Sequence, residues 1–360
     1  MVKSNLGSRR KSSAPLPAGV PAPAISAAPL FQAIGGSRMC HKLSRAFYDC
    51  VDRDPLLRPL FPGATLRCAM EEFAAFLVQF LGGPGEDSQD RWWVSLHESH
   101  RRFRIEQRHR DAWLRCMDEA LNEVGIDQPA LSALRNFFEH ASTYLIGGKP
   151  ETRRLNRELG ARWSAQRSVD DAVAAIRKGK ADRAIKLAGR CDRTVLPGLF
   201  AVMIDSRDPI LLAYVHAQLG GDPALAHERY GGRTLLHAAA AAGSLPTVEL
   251  LLFLGANPNV FDRGRHTPLY SVGNECASEE SAEVVLALVR AGAQVDASDG
   301  VTGATPLHMA ARRGNAVVAR ALLECGADIN ARDRRGDTPL VRALNCKKAH
   351  VAELLRTYRR

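Results

Sequence analysis

His97 and His100 stand three residues apart, near the same face of one helical stretch. A neutral imidazole there could ligate a metal, or be solvated or spent on a cap. Tyr48, Phe61, Phe73 and Trp113 surround them in sequence, and each taken alone reads as packing in a helical core. A second histidine set, His237, His266 and His308, recurs at intervals instead of clustering, which favours architecture over a metal site. The carboxylate pairs Glu71-Glu72 and Asp170-Asp171 read as solvated faces. Gly-x-Gly patterns fall in turns, and no motif supports a serine–histidine–carboxylate arrangement. Eight cysteines, at 40, 50, 68, 116, 191, 276, 325 and 346, form no Cys-x-x-Cys pair. Without a signal peptide, that scatter predicts reduced thiols in a cytosol, most of them small core residues.

The elements that must position these groups are helical. Met39, Leu43, Phe47 and Val51 space one apolar face; Ala69, Phe73, Leu77 and Phe80 space another, ended by Gly82-Gly83. Trp113, Met117, Leu121 and Val124 mark a third, and Leu131, Leu134, Phe138, Ala141 and Leu145 a fourth. No alternating strand pattern competes, so residues 31–147 are expected to form one all-α domain. The chain of 360 residues, 46% apolar and 24% charged, is long enough for two or three domains. It contains no apolar run of the roughly 18 residues that a membrane span needs.

The net charge of +10 is not spread over one face. Residues 1–30, a Pro/Ala/Ser-rich arm expected to be disordered, carry +4, and residues 148–167 carry another +4. Residues 31–147 hold 14 basic and 16 acidic side chains, giving −2. Nothing resembles a reading helix or a stacking sheet, so a nucleic-acid partner is not expected. The acid-free, serine-bearing arm also permits an organellar transit reading, against which the cytoplasm is preferred.

From residue 168 the chain repeats itself. Arg-Thr-Leu-Leu-His-Ala-Ala at 233–239, His-Thr-Pro-Leu at 266–269, Ala-Thr-Pro-Leu-His-Met-Ala-Ala at 304–311 and Asp-Thr-Pro-Leu at 337–340 place threonines 33, 38 and 33 residues apart. Gly-Ala follows at 255–256, 292–293 and 326–327. This pattern resembles the ankyrin repeat. Clear repeats are expected from about 231, 264, 302 and 335, with degenerate ones over 168–230, where Asp170–Gly189 reads as a helix pair and Pro209–Gly220 as part of another. The extra length of the second unit is placed within Gly273–Ser281. Thr can open a helix whose first residue is Pro, and His237 and His308 can tie neighbouring loops by hydrogen bonds.

Within 31–147, Phe31–Gly36, Ala46–Phe61, Gly82-Gly83, His100–Ile105 and Arg110–Met117 appear in an order that resembles a truncated haemoglobin of the second group. The resemblance implies a two-over-two helical sandwich holding one haem b. By its place in His-x-x-Phe-x-Ile, His100 would be the iron ligand, and Phe103 would be the phenylalanine of that motif; His97 keeps the solvated reading. Tyr48 and Trp113 would donate hydrogen bonds to a bound diatomic ligand, since Ala69 stands where other globins carry a distal histidine. Phe61 and Phe73 would pack on the porphyrin, and Phe61 replaces a tyrosine found in some relatives. Trp92-Trp93 would shield the haem edge or cover the core.

The fold class expected is thus all-α, a truncated globin followed by an ankyrin-repeat α-solenoid. The globin is expected to bind dioxygen or another diatomic ligand, and the solenoid an unidentified protein. The alternative is an interaction scaffold whose globin-like part has lost haem. A peroxidase or nitric oxide dioxygenase activity would need a reductase, and no flavin- or nicotinamide-binding domain is apparent. Residues 148–167 form a basic linker, with a connector helix around Arg153–Trp163 and Trp163 docked on either side. Few apolar residues there could weld the halves, so each half is expected to own its core and fold alone.

Overall fold

The computed structural model describes residues 29–61, 63, 65–84, 95–101, 103–148, 155–276 and 279–358. The arm up to residue 28, Trp92-Trp93, and Arg153 with Arg154 lie outside the described residues. Among the described residues the structure is all-α apart from a hairpin of two-residue strands, β1 (Arg229–Tyr230) and β2 (Arg233–Thr234).

The first body is a helical sandwich. A short α1 (Leu30–Ala33) leads into α2 (Gly36–Arg53), α3 (Arg67–Leu81), α4 (Leu96–His100), α5 (Gln107–Val124) and α6 (Ala130–Leu145). Helices α2 and α3 pair in one layer, α5 and α6 in the other, and α2 crosses onto α5. Each long helix turns one apolar stripe inward: Leu43, Phe47 and Val51 from α2, Leu77 and Leu81 from α3, Met117 and Leu121 from α5, Leu134 and Phe138 from α6. The Phe80 and Phe137 rings stack across the layers at 4.3 Å. The α2–α5 crossing also brings Cys50 and Cys116 to a Cα separation of 5.5 Å, where they form a disulfide. That corrects the expectation of reduced thiols throughout, since the pair is 66 residues apart in sequence and only the helix crossing makes it adjacent. Cys40 is a core residue as expected, buried and with its thiol pushed up to about 12 by desolvation, but most of the cysteines are not: Cys68 and Cys346 are exposed and Cys50, Cys191 and Cys325 only half-buried.

The second body is a stack of helix pairs. Its first pair comes from the C-terminal half of α7 (Arg157–Arg177) with α8 (Ala181–Ala188), followed by α9 (Leu196–Ser206) with α10 (Pro209–Gly221). Four more pairs follow: α11 (Leu235–Ala242) and α12 (Leu245–Phe253), α13 (Pro268–Glu275) and α14 (Ser281–Arg290), α15 (Pro306–Arg313) and α16 (Ala316–Glu324), and α17 (Pro339–Asn345) and α18 (Ala349–Thr357). One continuous core runs through all of them. Thr234 and Thr305 each cap a helix together with the histidine three residues on. Between α13 and α14 the turn holds residues 276–280, where the neighbouring pairs have only 243–244 and 314–315, so most of the extra length of the second unit sits in that turn.

Helix α7 is where the structure departs furthest from the expected connector. Its N-terminal half buries Leu159 and Trp163 in the core of the sandwich. Its C-terminal half buries Val169, Ala172, Val173 and Ile176 in the core of the solenoid. One helix of 21 residues, about 30 Å long, therefore belongs to both cores. Gly82 lies at this approach. Gly82 adopts φ +84 and closes α3, and a Cβ on it would strike the Arg162 guanidinium of α7 at 2.3 Å. A second bridge joins Arg263, in the loop after α12, to Glu71 on α3 at 3.8 Å.

Candidate functional site

The sandwich encloses a cavity of about 460 Å³ between α2, α3, α4, α5 and α6. All seven residues singled out from sequence line it: Tyr48, Phe61, Ala69, Phe73, His100, Phe103 and Trp113. His97 is not on its wall; its ring lies 4.5 Å from Tyr144. The walls are otherwise dominated by apolar side chains such as Phe47, Val51, Leu57, Phe76, Ile105, Phe138 and Leu145.

His100 ends α4, a helix of only five residues that is capped by Ser95, whose hydroxyl accepts the Glu98 N–H at 3.2 Å. The Nδ1 of His100 lies 2.8 Å from the Leu96 carbonyl oxygen and 2.8 Å from Ser99 Oγ. Ser99 donates its own hydroxyl proton to that same carbonyl, at 2.8 Å. Both neighbours of Nδ1 are thus acceptors, which puts the ring proton on Nδ1 and the lone pair on Nε2. This is the tautomer in which an imidazole ligates a metal through Nε2.

Across the cavity, α2 carries Phe47 and Tyr48 side by side. The Tyr48 ring meets Phe47 at 5.0 Å and Phe61 at 5.7 Å, both edge to face. Trp113, from α5, packs on Phe47 at 5.1 Å and on Phe138 at 5.7 Å. These contacts fix each ring plane, so the phenol and indole rings are held by apolar neighbours on the cavity wall. Phe103 closes the proximal end, 5.5 Å from Phe61 and 6.3 Å from the His100 ring. Two imidazoles border this largely apolar cavity: His109 accepts the Glu106 N–H on Nδ1 at 3.0 Å as part of a helix cap, whereas His100 turns its Nδ1 to a carbonyl, a donor set that suits a porphyrin held by one imidazole nitrogen.

Sequence reasoning missed several lining groups. Glu72 was expected on a solvated face and instead borders the cavity. Ser99, next to His100, was not singled out, although a hydroxyl adjacent to a candidate ligand is a reasonable orienting group. Arg110 lines one edge, and its guanidinium donates to Thr143 Oγ1 at 2.8 Å and 3.1 Å. The periodic faces already contained Phe138 as a core residue, but not Phe76, which also lines the cavity.

In the solenoid the recurring histidines are structural. His237 accepts the Thr234 N–H on Nδ1 at 3.2 Å and donates from Nε2 to the His266 carbonyl of the next unit at 3.1 Å. His308 repeats this with Thr305, at 3.2 Å, and the Asp337 carbonyl, at 3.0 Å. Burial pushes the pKa of His237 down to about 4, and that of His308 down as well. His266 instead pairs with Asp262 at 3.0 Å and stacks on Tyr270 at 4.4 Å. The loop aspartates Asp262, Asp299 and Asp333 each accept several backbone N–H bonds, and all three are held below the usual carboxylate range by hydrogen bonds despite their desolvation.

Comparison with known proteins separates the same two bodies. Residues 29–146 match the bacterial-like globin family, residues 231–263 match an ankyrin repeat, and residues 274–359 match a set of three ankyrin repeats. The group 2 truncated hemoglobin YjbI of Bacillus subtilis is 35% identical over 97 residues, which are 27% of this chain and 72% of that protein. Group 2 truncated hemoglobin 3-1 of Lotus japonicus is 30% identical over 128 residues, covering 35% of this chain and 76% of that protein. Ankyrin repeat and SOCS box protein 16 of Homo sapiens is 40% identical over 112 residues, 31% of this chain, but the chain spans only 24% of that protein. Among solved structures, a hemoglobin from Chloroflexus aurantiacus is 40% identical, with 32% of this chain and 96% of that chain covered and a TM-score of 0.31. Through residues 29–146 the chain therefore belongs to the bacterial-like globins, as a homologue of the group 2 truncated haemoglobins, and it carries ankyrin repeats after them.

Proposed function

We propose that residues 31–147 hold one haem b, with His100 as the residue that would ligate its iron, and bind dioxygen or another diatomic ligand there. The observation that carries this reading is the placement of His100, its Nδ1 2.8 Å from the Leu96 carbonyl oxygen, at the edge of an apolar cavity also lined by Tyr48 and Trp113. When bound, the iron would supply the site at which a diatomic ligand coordinates. Phe61, Phe73 and Phe103 would pack on the flat faces of the ring, and Ala69 would leave room above it. Tyr48 O–H and Trp113 N–H would donate to a ligand that carries partial negative charge, and the apolar wall would strengthen those bonds by excluding water.

The solenoid, in the same reading, binds a protein partner through its loops and first helices, the surface that such stacks present. No helix among the described residues is long and apolar enough to cross a membrane. The cytoplasm is the location proposed: the exposed thiols of Cys68 and Cys346 fit a reducing compartment, and the Cys50–Cys116 disulfide is the observation against it.

An absorption spectrum of the purified full chain tests the haem reading. A Soret band that shifts on reduction and again on addition of carbon monoxide supports it. Protein that stays colourless after incubation with hemin rejects it and leaves the haem-free scaffold.

A further inference from the structure

Asp170 reads in sequence as part of a solvated carboxylate pair, yet it is only 3% exposed, inside α7 and facing α4. Its Oδ1 accepts the Leu96 N–H at 2.8 Å and a Gln166 Nε2 proton at 3.2 Å. Leu96 is the residue whose carbonyl accepts from His100 Nδ1. One residue of α4 is therefore gripped by its N–H from α7 and grips the histidine by its C=O.

A five-residue helix has no stability of its own, because nucleation costs more than a single turn returns. Its position must come from what holds it. The second grip also comes from α7: Arg177 Nε lies 3.5 Å from Glu98 Oε2, and the same guanidinium reaches Asp205 of α9 at 3.1 Å. Both anchors thus belong to the part of α7 that begins the solenoid.

We propose that Asp170 is a positioning residue for His100: through Leu96, the first helix of the ankyrin stack sets the orientation of the imidazole toward the cavity. The inference rests on the haem reading above and extends it to a residue outside the globin itself. A protein partner that displaces α7 would act on the proximal side of the site by this route.

The test uses the full chain loaded with haem. Asp170→Ala removes the acceptor, and Asp170→Asn keeps an amide oxygen in its place. In Asp170→Ala the ferrous iron–histidine stretching band in the resonance Raman spectrum shifts or broadens. Haem transfer to excess haem-free myoglobin speeds up by about tenfold to a hundredfold, the scale of one lost charged hydrogen bond. Asp170→Asn restores both readouts most of the way. A wild-type band and transfer rate in Asp170→Ala overturn the proposal. Should that variant not fold, Asp170→Glu, which moves the acceptor by one methylene, must shift the band, and an unchanged band in it is equally fatal. If the wild-type chain takes up no haem, the haem reading is what fails. Asp170 is then judged in the haem-free protein by the Leu96 amide, which exchanges at least about tenfold faster in Asp170→Ala if it positions α4. Equal exchange overturns the proposal.

Discussion

His100 and His237 use the same side chain in opposite ways. At His237 the Nδ1 accepts a backbone N–H, so the proton sits on Nε2 and is spent on the next repeat. At His100 the Nδ1 faces a carbonyl and a hydroxyl oxygen, so the proton sits on Nδ1 and the lone pair belongs to Nε2 at the cavity. The His237 ring is fully buried, while His100 borders a cavity of about 460 Å³. Between these two histidines, the backbone group that Nδ1 meets, an N–H or a C=O, decides which ring nitrogen keeps the lone pair.

Breaking the His100 side of that comparison should have the largest effect. His100→Ala is expected to leave the protein unable to retain haem through a desalting column, whereas His97→Ala, whose ring lies against Tyr144 outside the cavity, retains most of it. Soret absorbance per protein reads the difference. Equal loss in both variants would remove His100 from its assigned role.

The next effect concerns where the site-bearing body ends. A fragment of residues 29–150 lacks Leu159 and Trp163, which fill its core, and should be less stable than a fragment of residues 29–180. Each large buried side chain removed costs about 2–5 kcal/mol. Denaturant unfolding of the two haem-free fragments, followed by circular dichroism, compares them. Coincident midpoints would show that α7 contributes nothing to the sandwich.

The His237 side of the comparison is sharpened by pH. Burial lowers its pKa to about 4 in the folded chain, against about 6.5 when unfolded. Between those values the unfolded chain binds a proton that the folded one refuses, so stability falls as pH falls. The slope is about 1.4 kcal/mol per pH unit, or roughly 3 kcal/mol over the window. His308, lowered in the same direction, steepens it. Below about pH 4 the loop carboxylates Asp262, Asp299 and Asp333, whose folded pKa values are depressed, add a further loss as they protonate. His237→Gln should flatten the fall between about pH 6.5 and about pH 4 while lowering stability at neutrality. An unchanged slope would mean that this ring is not what titrates.

What sequence made legible divides along the range of the interactions. The repeat threonines, the capping histidines and the helical faces are set by neighbours three to 33 residues away, and spacing exposes them. The seven cavity residues could be assembled only because their order resembles a known family; each alone reads as packing. Asp170 and the Cys50–Cys116 pair depend on elements that meet across 74 and 66 residues, and the double role of α7 on packing against both bodies at once. A clue to Asp170 did exist. Trp163, Gln166 and Asp170 lie on one helical face at i, i+3 and i+7, and a tryptophan on that face argues against full solvation.

The smallest expected effect is the finest test of the cavity, because it removes single donors and leaves the walls intact. Trp113→Phe keeps an aromatic ring against Phe47 and Phe138 but loses the indole N–H, and Tyr48→Phe loses only a hydroxyl. A hydrogen bond to a strongly polarised partner is worth about 1.5–3 kcal/mol, so either variant should release dioxygen roughly tenfold to a hundredfold faster in stopped-flow experiments. Carbon monoxide carries less charge when coordinated, and its release should change less. That contrast separates lost hydrogen bonding from altered packing, since a loosened wall would speed both ligands alike. If dioxygen release is unchanged in both single variants and in the double variant, Tyr48 and Trp113 are wall residues only. The distinction between the open histidine and the closed one would then rest on the proximal side alone.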